Sequence, residues 1–335
     1  RTGVAQSSGN MTIQQCKDMG WNHVLVSQHL GARVSDTDPI ADHAGWQGKV
    51  YCIDGKDAQF DNLLDATGYP ENPLGLCGYN CRHSFTPFLP GVSQNHNKPI
   101  DTEANRRAYE LSQTQRAMER RIRAQKRKCT ALHTAVKNCE DPAAKAKLQE
   151  KYAQSAKRLQ EQNAAYTKFC TDNDLKPYHE RLAVAGWDRS AASTASAAVR
   201  EQKRVDKMIA DFNAEHVAKD PAELLPKYEY AHGVKEKLLN YSLNMKEGAS
   251  GRDKAVVFQA ALGYNANNYE LLMQEIMAGI GRYKASGKTT TEHGEKFTVR
   301  MLVKGANGRY VPIRTGWIIA PEDRTPRMTT AFVDR

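Results

Sequence analysis

The chain has 335 residues, of which 40% are hydrophobic, and a formal net charge of +10 at pH 7. This length predicts two or three domains, and no run of about 18 apolar residues is present to form a membrane-spanning helix. Seven scattered cysteines favour reduced thiols over the dense pairing of a small secreted protein. The sequence opens on Arg1 with no signal-peptide pattern, so we expect natural sequence upstream of it.

The positive charge is concentrated in the middle of the chain. Residues 101–210 carry 23 basic and 14 acidic side chains, against 7 and 9 in residues 1–100 and 18 and 15 in residues 211–335. A basic stripe of this kind suits DNA or RNA, because neutralised phosphates release counterions. A long solvated helix rich in Lys and Arg has the same composition, so the charge leaves both interpretations open.

Residues 1–97 predict a small, loop-rich α+β unit. The stretch "GNMTIQQCKDMG" favours a short helix, and "WNHVLVSQH" alternates apolar and polar residues as a half-buried strand does. Clusters of Gly, Pro, Asn and Asp, such as "TGYPENPLGLCGYN", interrupt the remaining apolar runs. We interpret this region as the C-terminal part of a larger domain.

Residues 98–212 predict a basic helical hairpin or stalk. The stretch "DTEANRRAYELSQTQRAMERRIRAQKRKCTALHTAVKNC" contains no Gly or Pro, and Asp101 or Thr102 can cap its start. Asp141-Pro142 ends this helix and begins a second one. The low-complexity stretch "RSAASTASAAVREQKRV" is also compatible with a helix, and residues 213–234 are predicted to be a linker.

One face of the first long helix is predicted to be strongly basic. Arginines at i, i+4, i+7 and i+11 lie on the same side of a helix. They are Arg116, Arg120, Arg123 and Arg127. This face could contact DNA or an acidic protein surface, and a solvated face is the alternative.

Residues 235–335 predict a compact domain with two helices and an antiparallel sheet of three or four strands. "SGRDKAVVFQAALGY" and "NANNYELLMQEIMAGIGRY" carry apolar residues at helical spacing, and Gly263 ends the first helix. Stretches rich in β-branched and aromatic residues follow, and Asn307-Gly308 favours a hairpin between the first two. The fold class predicted for the chain is therefore α+β.

The stretch "GLCGYNCRH", residues 75–83, raises the question of a metal or redox site. A zinc site wants four ligands, and Cys77, Cys81 and His83 supply three. The residues that could complete the set are Cys52, His29 and His43. However, no second close cysteine pair exists, and a redox pair has two intervening residues where this stretch has three. We therefore predict no metal, and a tight turn with small buried thiols.

Several strings resemble the phage minor capsid protein family of the minor capsid protein 2 type, which is related to the Mu F-like head morphogenesis proteins. They are "RTGVAQ", "HLGAR", "HAGWQGKVY", "ATGYP", "GLCGYNCRHSFTPFLPG" and "SQTQRAMERRIRAQKR". The residues that we assign to this signature are His29, Arg33, His43, Trp46, Gln47, Gly48, Asn80, Cys81, Arg82 and His83. The resemblance implies a virion protein, present in the host cytoplasm during assembly, with portal and capsid proteins as partners and no membrane. The arginine-rich helix could then contact DNA.

The same resemblance implies a truncated ADP-ribosyltransferase-like fold for the N-terminal region. Such enzymes need an arginine or histidine to position NAD and a glutamate to stabilise the oxocarbenium charge. Arg1 could be that arginine, but Glu71 is the only glutamate in residues 1–97 and lies in a proline-flanked loop. An ADP-ribosyltransferase-like toxin is therefore an alternative function, and no cofactor is predicted.

The last hundred residues resemble a small domain of the barnase–EndoU–colicin–RelE-like nuclease superfamily, whose members occur as toxin modules. The strings are "LNYSLN", "SGRDKAVVFQAALGY", "IRTGWIIAPED" and "TPRMTTAFV". The resemblance implies a metal-independent ribonuclease, with RNA as substrate and an immunity protein as partner. Our catalytic candidates are His293, Arg314, Thr315, Arg327, Thr330 and Lys254, because they are polar and lie on or beside predicted strands or a helix start. A purely structural virion protein with an inactive C-terminal domain is the other interpretation.

Overall fold

A computed structural model describes residues 2–334, so Arg1, which the sequence suggests for NAD positioning, lies outside the described residues. The chain divides into two compact units. The N-terminal unit contains residues up to 121 together with 164–181, and the C-terminal unit contains residues 122–163 and those from 182 onward. Each unit has its own hydrophobic core.

The N-terminal unit contains a small antiparallel sheet with the strand order β2-β1-β3. Its elements are α1 (Thr2–Asp18), β1 (His23–Val26), α2 (His43–Trp46), β2 (Val50–Cys52), α3 (Leu63–Thr67) and β3 (Phe85–Phe88). Val24 and Val26 are fully buried and alternate with partly exposed neighbours, so one face of β1 packs in the core. Long loops join these short elements, and the signature residues lie mostly in those loops.

Two long helices follow, α4 (Thr102–Asn138) and α5 (Pro142–Asp172), and they pack antiparallel. Within the N-terminal unit, the Tyr166 hydroxyl donates to the buried carboxylate of Glu119 at 3.3 Å. Within the C-terminal unit, the Gln125 side-chain amide donates to the carbonyl of Ser155 at 2.8 Å. A third helix, α6 (Arg189–His216), contains the low-complexity stretch that the sequence describes as helix-compatible.

The C-terminal unit ends in a four-stranded antiparallel sheet with the order β4-β5-β6-β7. Its elements are α7 (Val234–Lys237), α8 (Arg252–Leu262), α9 (Tyr269–Ile280), β4 (Ala285–Thr291), β5 (Gly294–Lys304), β6 (Tyr310–Ile319) and β7 (Pro326–Val333). Along β5, Phe297, Val299 and Met301 are buried in the core, while the residues between them are at least partly exposed. The sheet therefore has an inner face against the core and an outer face, and Gly308, with φ of 79°, turns β5 into β6.

The prediction of a mixed α+β protein with a C-terminal antiparallel sheet is confirmed, and the sheet has four strands. The ADP-ribosyltransferase-like character of the N-terminal unit stays a prediction. Leu225 and Val234, from the segment predicted to be a linker, are buried in the core of the C-terminal sheet. The domain boundaries derived from the sequence likewise stay predictions.

Candidate functional site

A polar cavity of about 90 Å³ lies in the N-terminal unit among the signature residues. It is lined mainly by imidazole and guanidinium groups. Among the lining residues are His29, Arg33, His43, Asn80, Arg82, His83 and Arg116. The loop after β1, the start of α2 and the segment before β3 therefore meet here, although they are far apart in the sequence.

Three side chains beside this cavity have the arrangement of metal ligands. One potential ligand atom from each of His43, Cys81 and His83 lies within 4.8 Å of the other two. The Sγ atom of Cys81 is 3.6 Å from Nδ1 of His83, and the His29 ring stacks on the His83 ring with centroids 4.3 Å apart. The structure therefore brings together a cysteine and three histidines, all of which the sequence analysis named as possible zinc ligands before it predicted no metal.

Burial keeps these histidines neutral. It lowers the pKa of His43 to about 4, and the hydrogen bond from His43 to the Leu74 carbonyl opposes this effect only partly. Burial is the main cause that lowers the pKa of His83 to about 2, and the charge of Arg82 and the charge that His29 and His43 would carry if protonated act in the same direction. Burial also raises the pKa of the Cys81 thiol. Neutral imidazoles can act as ligands or hydrogen-bond partners, but not as cations.

The tight turn predicted for "GLCGYNCRH" is present, and close backbone contacts explain its glycines. A Cβ atom on Gly75 would lie 2.1 Å from the Thr67 carbonyl oxygen, and one on Gly78 would lie 2.3 Å from that of Pro73. Cys77 and Asn80 adopt positive φ angles of 61° and 59°. The turn thus places Cys81 and His83 beside the cavity.

The other signature residues hold the loops around the cavity. Arg33 donates to the carbonyl oxygens of Leu74 and Tyr79, at 2.9 and 2.6 Å, and Arg82 donates weakly to that of Gly31 at 3.4 Å. Two further residues shape the chain near α2. Trp46 is buried and donates to the Ile40 carbonyl at 2.9 Å, and Gly48 has a φ of 75°.

The predicted basic face of α4 divides by environment. Arg116 lines the cavity, where burial and the charges of Arg82 and Arg181 lower its pKa. Arg120 and Arg127 are exposed, and Arg123 is partly buried. Arg116 is therefore part of the cavity lining and not of a solvated basic face.

The catalytic candidates of the C-terminal domain do not form one cluster. His293 lies in the turn between β4 and β5, where its side chain is 75% exposed and approaches Glu292. Thr315 is fully buried, donates to the Val299 carbonyl and accepts from the Trp317 indole, so its hydroxyl does not face solvent. Lys254 and Thr330 do meet, with 2.9 Å between Nζ and Oγ1.

Arg314 and Arg327 lie at different positions on the outer face. Arg314 pairs with Asp334 at 3.1 Å, and Arg300 pairs with the same carboxylate. Arg327 is exposed on β7, and its backbone forms an isolated β-bridge with that of His232, which precedes α7. The charge of Arg314 is therefore partly neutralised, whereas Arg327 faces solvent beside a histidine.

His232 is a candidate that the sequence reasoning missed, because residue 232 fell in the predicted linker. Its Nε2 atom is 2.9 Å from Oδ2 of Asp323. Backbone bonds from His232 to Pro326 and from Met328 to His232 fix it alongside β7. The signal available in the sequence was a second histidine just before the domain, with an acidic residue in "APEDRTPR".

A row of side chains crosses the outer face next to this pair. Thr289, Lys296, Ile318, Arg327 and His232 are successive Cα partners across the sheet. Directly opposite residues place their side chains on the same side of a sheet. Ile318 is buried, but Lys296, Arg327 and His232 are exposed, so the row places an imidazole and two cations on the same side of the sheet.

Two family models match the chain, one over the part that contains the cavity and one over the part that contains the outer-face row. A model of the family described as "Phage minor capsid protein 2" matches residues 1–170, about half of the chain. The chain belongs to the phage minor capsid protein 2 family. The matched residues of this minor capsid protein include every residue of the cavity and most of the α4–α5 pair.

The C-terminal residues match a second family model. It is described as "Domain of unknown function (DUF6883)" and covers residues 224–335 of the minor capsid protein. That description assigns no activity, so the predicted nuclease superfamily is not supported by it. The match begins ahead of Leu225, His232 and Val234, which pack on or beside the C-terminal sheet.

Two curated relatives are phage proteins. A "Structural protein" of Lactococcus phage LL-H is 28% identical over 131 residues, which are 38% of this chain and 33% of the relative. A "Structural protein" of Lactococcus phage mv4 is 38% identical over 56 residues, 17% of this chain and 46% of the relative. The minor capsid protein thus matches less than half the length of either relative. No solved structure matches it, and none of its helices within residues 2–334 is long and apolar enough to cross a membrane.

Proposed function

We propose that this minor capsid protein is a virion component that associates with the portal and carries an RNA-cleaving C-terminal domain. The family supports the head role, and the row ending in Arg327 and His232 on the outer face supports the second role. The portal and capsid proteins are the proposed partners of the N-terminal unit, in the virion and in the host cytoplasm during assembly. An immunity protein is the proposed partner of the C-terminal domain.

The proposed reaction uses His232 as the base. Asp323 orients its imidazole, as the 2.9 Å contact indicates. The imidazole takes the proton from a ribose 2′-OH, the 2′-oxygen attacks the phosphorus, and the bond to the 5′-oxygen breaks to leave a 2′,3′-cyclic phosphate. Arg327 stabilises the extra negative charge on phosphorus, and the leaving oxygen takes a proton from solvent.

This assignment moves the proposed centre away from His293 and Arg314. Two arginines share Asp334 near one end of the outer face, which leaves less positive charge for phosphate there. Lys296 and Arg327 are exposed, and they lie in the same row as His232. Thr298 and Thr330 lie in a row two positions further along the sheet from His232. Within residues 2–334, Lys296 and Arg327 have no carboxylate partner, so the side that holds them and the paired imidazole is the better site for a phosphodiester.

The test uses purified full-length protein and a labelled single-stranded RNA, with chelator present. We expect cleavage to products with cyclic phosphate ends, and a loss of about 100-fold or more in His232→Ala, the size usual for removing an acid–base group. His293→Ala is the matched control and should keep full activity. Intact RNA with the wild type, or loss in the control but not in His232→Ala, would overturn the proposal.

The head role has a separate test. Co-expression with the portal protein of the same phage should give a complex that stays together in size-exclusion chromatography, and the protein should be present in purified particles. Separate elution at low and moderate salt, together with its absence from particles, would contradict portal association. The ADP-ribosyltransferase-like fold implied for the N-terminal unit remains a proposal without a glutamate to support activity, since Glu71 is exposed in a turn.

A further inference from the structure

The cysteine and histidines beside the N-terminal cavity form a set that the head role does not explain. We propose that His43, Cys81 and His83 bind one Zn²⁺ ion, with His29 as the fourth ligand. The ligand atoms of the first three already lie within 4.8 Å of one another. Tetrahedral zinc with bonds of about 2.0–2.3 Å holds its ligand atoms roughly 3.3–3.8 Å apart, a range that includes the 3.6 Å between Sγ of Cys81 and Nδ1 of His83, so small side-chain movements would close the set around the ion.

Hydrogen bonds fix the tautomer of His83 so that its free nitrogen faces the cysteine. The backbone N–H of His29 donates to the side-chain amide of Gln47 at 2.9 Å, which fixes the accepting atom as the amide oxygen Oε1 rather than the amide nitrogen. The Nε2 atom of His83, 3.1 Å from the same oxygen, must therefore be the donor. Its Nδ1 atom is left with a lone pair, 3.6 Å from Sγ of Cys81.

Hydrogen bonds to backbone carbonyls also fix the tautomers of the other two histidines. His43 Nε2 lies 2.8 Å from the Leu74 carbonyl oxygen, which can only accept, so Nδ1 of His43 keeps its lone pair. His29 Nδ1 lies 3.1 Å from the Leu30 carbonyl oxygen, which leaves Nε2 as the unprotonated nitrogen. That Nε2 atom is buried and has no hydrogen-bond partner among residues 2–334. Metal-bound histidines in proteins typically donate their second nitrogen to a carbonyl in this manner.

The ligand types select the ion. Imidazole nitrogens and a thiolate suit Zn²⁺, while Ca²⁺ and Mg²⁺ prefer carboxylate and carbonyl oxygens. Zinc binds a cysteine as the thiolate, so binding should release the proton of the Cys81 thiol. Arg33, Arg82 and Arg116 line the same cavity and oppose a cation. The affinity should therefore depend strongly on the negative charge of the thiolate.

A zinc ion would also connect three of the signature strings, because each of them contributes a ligand. His29 belongs to "HLGAR", His43 begins "HAGWQGKVY", and Cys81 and His83 belong to "GYNCRHS". Apart from Val50 and Tyr51, which belong to β2, these strings lie in loops and the one-turn helix α2. An ion held by all of them would connect these segments to one another.

The test measures metal directly in the full-length protein. Reduced protein purified from zinc-supplemented cells should contain one zinc per chain by elemental mass spectrometry. After removal of zinc, Co²⁺ should produce the sulfur-to-cobalt charge-transfer band of a thiolate ligand and the visible bands of a tetrahedral site. Zinc titration of the metal-free protein should release one proton per ion bound.

Matched variants separate the ligands from the turn. Cys81→Ser should lose the charge-transfer band and the bound zinc, while Cys77→Ser, which changes a buried thiol of the same turn, should keep both. His43→Asn and His83→Asn should lower zinc affinity by at least 10–100-fold. His29→Asn should weaken binding but keep the sulfur band, and unchanged affinity in this variant would remove His29 from the ligand set.

Two results would overturn the proposal as a whole. One is zinc-free wild-type protein that gives no thiolate band with Co²⁺, although it is folded by circular dichroism. The other is equal loss of zinc in Cys77→Ser and Cys81→Ser while both variants unfold at the same temperature as the wild type. Neither result depends on RNA cleavage or portal binding.

Discussion

The imidazole of His232 and the carboxylate of Asp323 lie 2.9 Å apart, although 91 positions separate them in the chain. His232 reaches this position because its backbone pairs with β7 on both sides of Arg327. A carboxylate that accepts a hydrogen bond from an imidazole fixes the orientation and tautomer of the ring. The pair therefore supports the role proposed for His232 as the base.

We expect Asp323→Asn to reduce RNA cleavage through kcat, with KM nearly unchanged. The substitution keeps the size of the side chain but removes its charge. A hydrogen bond to a charged group contributes about 1.5–3 kcal/mol, which corresponds to roughly 10–100-fold in rate. Glu322→Gln removes a charge from the adjacent exposed residue and is the control. Equal losses in the two variants would mean that only the overall charge of the loop matters.

Thr315 offers a test between a catalytic and a structural role. Its hydroxyl connects the Val299 carbonyl to the indole N–H of Trp317, at 3.2 and 2.9 Å. Thr315→Val leaves that buried N–H unpaired and should lower the free energy of unfolding by about 1–3 kcal/mol. Thr315→Ser should restore most of it. Urea unfolding gives the stability, and RNA cleavage of the folded Val variant should match the wild type if the role is structural.

Adjacent leucines of α9 test where the core of the C-terminal domain lies. Leu272 is completely buried, whereas Leu271 is 48% exposed. Leu272→Ala should lower the free energy of unfolding by about 2–5 kcal/mol, because it removes buried methyl groups and leaves a cavity. Leu271→Ala should cost much less. Similar losses in the two variants, measured by urea unfolding, would contradict the position of this helix on the sheet.

Gly75 should tolerate no side chain. A Cβ atom there would lie 2.1 Å from the Thr67 carbonyl oxygen, so Gly75→Ala must displace backbone. We expect a loss of about 1–3 kcal/mol in stability, in line with overpacked sites. Gly3→Ala is the control, since its Cβ would meet nothing within 4 Å and alanine favours the helix that contains it. A thermal melt of the two variants measures the difference.

Arg127 tests the proposed contact of α4 with DNA. It is exposed on the predicted basic face, and Lys128 is exposed about a quarter-turn further round the helix. If Arg127 meets a phosphate, Arg127→Gln should weaken DNA binding and reduce the salt dependence by about 0.9 in the log–log slope. Lys128→Gln removes the same charge from the neighbouring face. Identical slopes in both variants would indicate binding by net charge alone.

Several features of this protein are determined by the sequence alone. The long glycine-free stretch after Asp101 and the Pro142 boundary predict α4 and α5, whose observed limits are Thr102–Asn138 and Pro142–Asp172. Alternation of apolar residues predicts β1, β-branched and aromatic residues predict β5, and Asn307-Gly308 predicts the hairpin between β5 and β6. These features depend on neighbouring residues, because helix propensity, strand alternation and turn conformation are local properties of the backbone. The signature strings also indicate the family without any structure.

Only the tertiary structure decides which distant side chains meet. The sequence offers His43 only as one of three residues that could complete a ligand set with "GLCGYNCRH", whereas folding places His43, Cys81 and His83 around one point. In the same way, folding buries Thr315 and brings His232 to Arg327 across the end of the sheet. Such contacts depend on how loops close over a core, and that depends on packing between elements rather than on any local pattern.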